Sequence, residues 1–276
     1  MAKVYDAHAY LGVNPIWKQH GLPVPFDGPA WVDYMDSSGV DATLVAPPGV
    51  GAREDFKPDL WRIAEAVKKY PDRFFGFARV KPRRGKKALD ELKMWVEEHG
   101  FKAVKMNTLD DNYLLSDRRL LDPVVETATK LGIPVYFHTG QESWEQCLPD
   151  MVADIAVDYP ENTFIIGHLA FGGINGWPGA TEQLVPAMTR AKNTVTETAG
   201  VFNNKYIQDV VDAIGADRVL MGSNGPYQPP ELIRVLIDRH MHRLNRTQKD
   251  AILGGNLARV LKVNGAVKGK AGAKKR

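Results

Sequence analysis

The 276-residue chain contains a single cysteine, Cys147, so no disulfide can form within it. A lone thiol is typical of a reducing compartment, and we expect a cytoplasmic protein. No run of about 18 apolar residues occurs, which argues against a helix that crosses a membrane. No basic segment followed by an apolar run opens the chain, so we expect no signal peptide.

The chain also lacks a large excess of positive or negative charge. The net charge is only +3, and part of it lies in the C-terminal tail. No basic stripe with interleaved aromatic residues occurs, so nucleic acid is not an expected partner. No G-x-G-x-x-G follows the first predicted strand, which argues against dinucleotide binding. A small-molecule substrate remains the expected partner, and a homo-oligomer stays open.

Short apolar runs alternate with segments of helical spacing eight times along the chain. The predicted strands are 4–10, 43–46, 74–80, 103–107, 134–140, 163–168, 195–198 and 219–224. The predicted helices are 29–38, 59–70, 85–99, 117–131, 144–159, 180–191, 205–214 and 230–243, followed by an extra helix over 247–261 that Thr247 would cap.

Parallel strands need crossover connections, so this alternation predicts a parallel sheet with helices outside it. Eight units favour a closed (β/α)₈ TIM barrel of the α/β class over a doubly wound open sheet, which usually has fewer. We expect one domain over residues 1–263, including the extra C-terminal helix. Residues 264–276 are rich in Gly, Ala, Lys and Arg and are predicted to form a basic disordered tail.

Polar side chains end nearly every predicted strand. They are His8, Tyr10, Arg79, Lys105, Asn107, His138, His168, Glu197, Ser223 and Asn224. A single histidine here has an ordinary alternative, a core residue bonded to the backbone. Because the carboxyl ends of barrel strands meet at one rim, we instead expect the imidazoles of His8, His138 and His168 to converge there.

These residues lie in motifs that resemble those of the amidohydrolase superfamily, in the branch called amidohydrolase 2. The motifs are Asp6-Ala7-His8-Ala9-Tyr10 for the family's D-x-H-x-H, Phe137-His138-Thr139-Gly140, Gly167-His168, Gly222-Ser223-Asn224-Gly225-Pro226 for G-S-D-x-P, and the closing Gly255-Asn256-Leu257-Ala258-Arg259-Val260-Leu261. That branch includes decarboxylases of aminocarboxymuconate and hydroxybenzoates, and lactonases. The resemblance implies an enzyme that acts on a small carboxylated or cyclic substrate.

Two departures from the family pattern concern the metal. In metal-using members the two first-strand histidines, the fifth-strand histidine and the eighth-strand aspartate hold one divalent ion, often zinc. Here Tyr10 and Asn224 replace two of these ligands, which leaves His8 and His138. Neutral phenol and amide oxygens are poor zinc ligands. We therefore expect weak or no metal dependence, although His168 and Glu197 could help to gather an ion in an altered geometry.

The remaining roles follow from side-chain chemistry. His138 and His168 are expected to transfer protons or to polarise a carbonyl group. Tyr10 is either an acid or a hydrogen-bond partner of Asn224, and both would anchor water or substrate.

Arginine and lysine bind carboxylates, so Arg79 and Lys105, with Asn107, are predicted to bind substrate. Glu197 would pair with Lys105 or orient a histidine at the substrate site. Trp17 and Trp177 are predicted to roof the pocket. The alternatives are an ion pair for Arg79 and ordinary loop packing for the tryptophans.

Three functions stay open at this stage. Hydrolysis of a lactone-like or amide bond is the first choice. Non-oxidative decarboxylation is the second. A catalytically inactive barrel that serves as the partner of another enzyme is the third, motivated by the changes at Tyr10 and Asn224.

Overall fold

A computed structural model describes residues 2–22, 26–49, 56–140, 146–171 and 181–263. The predicted tail, 264–276, lies outside the described residues and stays a prediction. Within these ranges, no helix combines the length and the apolar character that crossing a lipid bilayer requires.

Eight parallel strands form one sheet in which neighbours in sequence are neighbours in space. They are β1 Tyr5–Tyr10, β2 Ala42–Ala46, β3 Phe74–Ala78, β4 Ala103–Met106, β5 Val135–Phe137, β6 Phe164–Ile166, β7 Thr194–Glu197 and β8 Val219–Leu220. All are short and almost wholly buried, as expected when a sheet is covered on both faces. The last strand ends earlier than the predicted 219–224, because the chain turns there to build the rim.

The sheet closes between its first strand and the segment that follows its last. The main-chain N–H of Ala7 donates to Met221 O at 2.7 Å, and the N–H of Tyr10 donates to Gly225 O at 2.8 Å. Between these two bonds, the N–H of Asn224 donates to His8 O at 2.9 Å. The predicted TIM barrel, a single domain, is therefore confirmed.

The helices follow the strands as predicted. They are α1 Gly28–Ser38, α2 Lys57–Lys69, α3 Lys86–Glu97, α4 Arg118–Leu131, α5 Pro149–Asp158, α6 Thr181–Arg190, α7 Asn204–Ile214, α8 Pro230–Val235, α9 Arg246–Asp250 and α10 Asn256–Val260. Wider π-type turns, Leu236–His240 and Ala251–Gly255, extend α8 and join α9 to α10. The prediction that Thr247 caps the last helical stretch is wrong. Asn245 is the cap, because its side chain accepts from the N–H of Gln248, whose own side chain bonds back.

Two apolar layers hold the barrel together, one between sheet and helices and one inside the ring. The inner layer includes Leu44, Phe77 and Ile165, and the C-terminal α10 adds Leu257 and Leu261 to it. Asn256 Nδ2 donates to Val219 O at the start of β8, which places α10 at the amino end of the barrel. The extra helix therefore plugs the end opposite the carboxyl rim, where barrel enzymes place their sites.

Candidate active site

A cavity of about 460 Å³ opens at the carboxyl ends of the strands. Seven residues singled out from sequence line it: Tyr10, Arg79, Lys105, Asn107, His138, His168 and Asn224. Each belongs to a strand or directly follows one, except His168, two residues after β6, and Asn224, in the turn after β8. Their alternation along short strands brings them to one rim.

The three predicted imidazoles converge below this cavity. The ring centroid of His168 lies 4.9 Å from that of His8 and 4.6 Å from that of His138. His168 Nε2 is 3.1 Å from His138 Nδ1, within hydrogen-bonding distance. His8 itself is fully buried and stacks on the ring of Tyr136, with centroids 5.0 Å apart.

The hydrogen bonds of His168 assign the protons of the pair that it forms with His138. His168 Nδ1 lies 2.9 Å from the carbonyl oxygen of Ala199, which can only accept, so Nδ1 carries a proton. The neutral ring then accepts at Nε2 from His138 Nδ1–H, which leaves His138 Nε2 unprotonated. Burial, and next the neighbouring imidazole of His168, hold the pKa of His138 well below its usual value, consistent with a neutral base.

Lys105 forms the cationic part of the site. Its Nζ lies 2.5 Å from His8 Nε2 and donates to the hydroxyl of Tyr10 at 3.2 Å. It also lies 4.5 Å from the ring centroid of Tyr10 and 5.1 Å from that of Tyr136, which stabilises a positive charge. Burial, followed by the charge of Arg79, lowers the pKa of Lys105 to about 7.

The expectation that Tyr10 bonds to Asn224 is wrong. The Tyr10 hydroxyl is directed to Lys105, whereas the buried Asn224 Oδ1 has no hydrogen-bond partner. Burial raises the pKa of Tyr10 well above its usual value, so its hydroxyl keeps its proton. Burial, and then Lys105, lower the pKa of His8, which is therefore a neutral acceptor for the ammonium group.

Arg79 is already paired. Its Nη1 donates to Asp111 Oδ2 at 2.5 Å and its Nη2 donates to Asp110 Oδ2 at 3.1 Å, while Phe56 covers the guanidinium with its ring at 4.6 Å. Asn107 Nδ2 also donates to Asp110 Oδ2, at 2.8 Å. The ion-pair alternative for Arg79 is therefore the arrangement found, although the residue lines the cavity. Sequence reasoning missed both aspartates, whose only signal was their position just after β4.

Glu197 lies beneath the cavity and is not among the residues that line it. Oε1 accepts from the Tyr136 hydroxyl at 2.9 Å and from the His168 N–H at 2.7 Å, and Oε2 accepts from the Ala199 N–H at 2.5 Å. Because Glu197 does not line the cavity, the structure gives no support to its predicted contact with substrate, which stays a prediction. Of the two predicted alternatives, the orientation of a histidine agrees with these bonds.

The backbone at residues 168–170 has an unfavourable conformation that hydrogen bonds from its neighbours must hold. His168, Leu169 and Ala170 all have positive φ, between 50° and 57°, although none is glycine. Each such residue costs about 1–3 kcal/mol and persists only where its surroundings enforce it. Glu197 holds the N–H of His168, and Thr139 Oγ1 donates to Gly167 O at 2.6 Å. These bonds fix the direction of the His168 ring.

The two tryptophans predicted to roof the pocket have different outcomes. Trp17 is fully buried and does not line the cavity; its ring packs against Phe26 and against Tyr227, with centroids 6.3 Å and 6.1 Å apart. The roof prediction for Trp17 is therefore wrong, and Tyr227, which does line the cavity, takes that position. Trp177 lies outside the described residues.

Three buried groups are candidate metal ligands: His8, His168 and Glu197, whose ligand atoms lie within 4.8 Å of one another. This cluster contains His168 and Glu197 in place of the His138 that sequence analysis paired with His8. His8 Nδ1 is buried without a hydrogen-bond partner, but it carries the proton of the neutral ring while Nε2 accepts from Lys105, so it cannot bind an ion in this state. In addition, Glu197 already accepts three hydrogen bonds and His168 Nδ1 is bound to a carbonyl.

The charge next to this cluster is also unfavourable for an ion. Lys105 Nζ contacts the other nitrogen of His8 at 2.5 Å, so a divalent cation would lie close to an ammonium group. Filling the cluster would break bonds that orient His168. The donor set as it stands does not fit a tightly held divalent ion.

Comparison with known proteins agrees with this architecture. A gamma-resorcylate decarboxylase of Polaromonas sp. (strain JS666) is 27% identical over 209 residues, which are 60% of this chain and 64% of that protein. The match thus spans less than two thirds of that relative's length.

Two solved structures share the fold. A 2,6-dihydroxybenzoate decarboxylase from Rhizobium has a TM-score of 0.71 at 18% identity, over 95% of this chain and 99% of that one. A dihydroxybenzoic acid decarboxylase from Polaromonas sp. JS666, with bound manganese and the inhibitor 2-nitroresorcinol, has a TM-score of 0.69 at 19% identity, over 95% and 97%. At these identities the likeness concerns the fold.

A match that extends over nearly the whole chain shows the family. The family model Amidohydro_2, described as amidohydrolase, covers residues 6–263, which include all strands and helices described above except Tyr5, the first residue of β1. The chain therefore belongs to the amidohydrolase family Amidohydro_2.

Proposed function

We propose that this chain is a non-oxidative decarboxylase of a small aromatic carboxylic acid, of the dihydroxybenzoate type. The observation that carries the proposal is a cavity that brings Lys105, whose ammonium group has no carboxylate partner among the described residues, together with a hydrogen-bonded imidazole pair, His138 and His168. The named relatives are decarboxylases, which favours this reaction over the hydrolysis that the sequence alone put first.

The reaction needs proton transfer and no oxidant. A proton adds to the ring carbon that bears the carboxylate, and the bond between that carbon and the carboxylate then breaks. Its electron pair restores the aromatic ring and CO₂ leaves, so that R–COO⁻ and H⁺ become R–H and CO₂. A hydroxyl group next to the carboxylate assists, since its ionisation places electron density on that ring carbon.

His138 is the residue placed to move this proton. Its Nδ1–H is donated to His168, so its unprotonated Nε2 is available to take the proton of a substrate hydroxyl and return it to the ring carbon. His168 is held by Ala199 O and by Glu197, and it keeps the His138 ring in one tautomer. A cationic side chain at the cavity holds the substrate carboxylate. These steps use no metal ion, because the candidate ligands described above do not fit one.

The test is release of CO₂ from 2,6-dihydroxybenzoate, with resorcinol measured by chromatography. We expect turnover by the wild-type chain and a loss of about 100-fold or more in His138→Ala, the usual size of a proton-transfer contribution. His242→Ala is the matched control, because His242 is exposed and remote in sequence from the rim motifs. Each variant is checked for folding by circular dichroism.

Two other experimental outcomes would support one of the alternative functions instead. Opening of a lactone such as dihydrocoumarin, without CO₂ release from any hydroxybenzoate, would favour the hydrolase. Full biological function of folded His138→Ala and His168→Ala variants would favour a non-catalytic partner of another enzyme.

A further inference from the structure

The cavity lining contains two cations, and they differ in how their charge is balanced. Arg79 contacts two carboxylates, Asp110 and Asp111, at 3.1 Å and 2.5 Å. Two acceptors with one guanidinium group leave this cluster without surplus positive charge. An incoming anion would therefore meet the carboxylates of the cluster as well as its arginine.

Lys105 is balanced differently. Among the described residues, no carboxylate lies within ion-pair distance of its Nζ; its polar contacts are the neutral ring of His8 and the hydroxyl of Tyr10. Neutral acceptors and two aromatic faces solvate an ammonium group without cancelling its charge. Nζ also reaches the cavity, since Lys105 lines it while the residue as a whole is only 3% exposed.

We propose that the ammonium group of Lys105 binds the single carboxylate of a mono-anionic substrate and supplies the positive charge that a divalent ion would supply, so that the site works without a resident ion. This inference rests on the proposed function for the identity of the substrate, but its tests do not require turnover. The inference predicts that the site prefers ligands with one negative charge, because the charge of Arg79 is already balanced by two carboxylates.

The geometry also explains why a protonated Lys105 and a divalent cation bound to His8 would exclude each other. A divalent cation bound to His8 would lie close to Lys105, whose Nζ touches His8 Nε2 at 2.5 Å. It would also compete with the three hydrogen bonds that Glu197 accepts. An ion therefore competes with the ammonium form of Lys105 and with the bonds of Glu197, whereas the lysine alone leaves those bonds intact.

The first test measures metal directly on the wild-type chain. Protein purified without added metal is analysed by mass spectrometry for bound metal and titrated with MnCl₂ by calorimetry. We expect less than about one ion per ten chains and no stoichiometric binding at micromolar Mn²⁺. One tightly bound Mn²⁺ per chain would overturn the proposal, whether or not the protein turns over a substrate.

The second test compares probes that lack the hydroxyl group needed for decarboxylation. Benzoate and benzamide have nearly the same shape, but only benzoate is charged. We expect wild-type protein to bind benzoate about 10- to 100-fold more tightly than benzamide, the range for a charge-assisted hydrogen bond. Isophthalate, which carries a second carboxylate, is expected to bind no more tightly than benzoate. Equal binding of benzoate and benzamide, or isophthalate binding tenfold tighter than benzoate, would contradict the inference.

Variants assign the effect to one residue. Lys105→Met is expected to lose the preference for benzoate, and Lys102→Met, which removes an exposed lysine just before the same strand, is expected to keep it. If a folded Lys105→Met variant still prefers benzoate over benzamide, the proposal is contradicted. If Lys105→Met does not fold, the manganese and isophthalate measurements on wild-type protein decide the matter alone. Because none of these probes reports turnover, the decarboxylase proposal can fail without affecting them.

Discussion

The carboxylate of Asp6 accepts two hydrogen bonds from Ser223, one from its main-chain N–H at 2.9 Å and one from its hydroxyl at 2.5 Å. Asp6 lies on β1 and Ser223 follows β8, so this pair joins the two ends of the sheet. Asp6 also accepts from the N–H of His8 at 3.1 Å. The pair therefore fixes both the closure of the barrel and the strand that carries His8.

Removal of the Ser223 hydroxyl is predicted to destabilise the barrel. Ser223→Ala leaves a fully buried Asp6 oxygen without its donor, and it also removes the acceptor of the Gly225 N–H. Hydrogen bonds to charged groups contribute about 1.5–3 kcal/mol, so we expect a loss of that size in the free energy of unfolding in urea. Ser37→Ala, at an exposed helical serine, is the control. A change below about 0.5 kcal/mol would show that the pair contributes little.

The Arg79 cluster is predicted to be structural as well as part of the cavity wall. Arg79→Met removes the side-chain partner that the buried Asp111 has among the described residues, and breaking a buried pair in this way costs about 3–5 kcal/mol. The double variant Arg79→Met/Asp111→Asn should recover part of that loss, because the fully buried carboxylate is then neutral and only the partly exposed Asp110 keeps its charge. Urea unfolding of both variants checks this. A double variant no more stable than Arg79→Met would argue against the charge explanation.

The sequence predicted the fold and the rim residues because both depend on local pattern. Alternation along β1 puts His8 and Tyr10 on one face, and the strand-end positions of His138 and His168 place them at the same rim whatever the loops do. These predictions needed only the number of strand–helix units and the direction of each strand.

Contacts made by loops could not be predicted in the same way. The pairing of Arg79 with Asp110 and Asp111 depends on the path of the segment after β4, and the burial of Trp17 depends on a loop that folds back onto Tyr227. Neither path follows from periodicity. Glu197 could be expected near a histidine, but its three donors include main-chain groups of a segment with positive φ, which sequence does not reveal.

The single thiol, Cys147, is predicted to be unreactive in the folded protein. It is fully buried, and burial raises its pKa, so little thiolate forms at pH 8. We expect its reaction with iodoacetamide to be at least about 10-fold slower in the native protein than in urea. Ser116→Cys adds an exposed thiol and should be modified at once in native conditions. Rapid modification of native Cys147 would mean that its surroundings open readily.

Gly222 is predicted to be required for the position of Glu197. A Cβ atom at residue 222 would lie 2.3 Å from Glu197 Oε2, so Gly222→Ala forces the carboxylate away from the Ala199 N–H. Such overpacking costs about 1–3 kcal/mol, measured as a loss of stability in urea. In a Glu197→Ala background the clash is absent, so Gly222→Ala should then cost much less, and the two substitutions should not be additive. Equal costs in both backgrounds would mean that Gly222 serves the fold for another reason than its contact with Glu197.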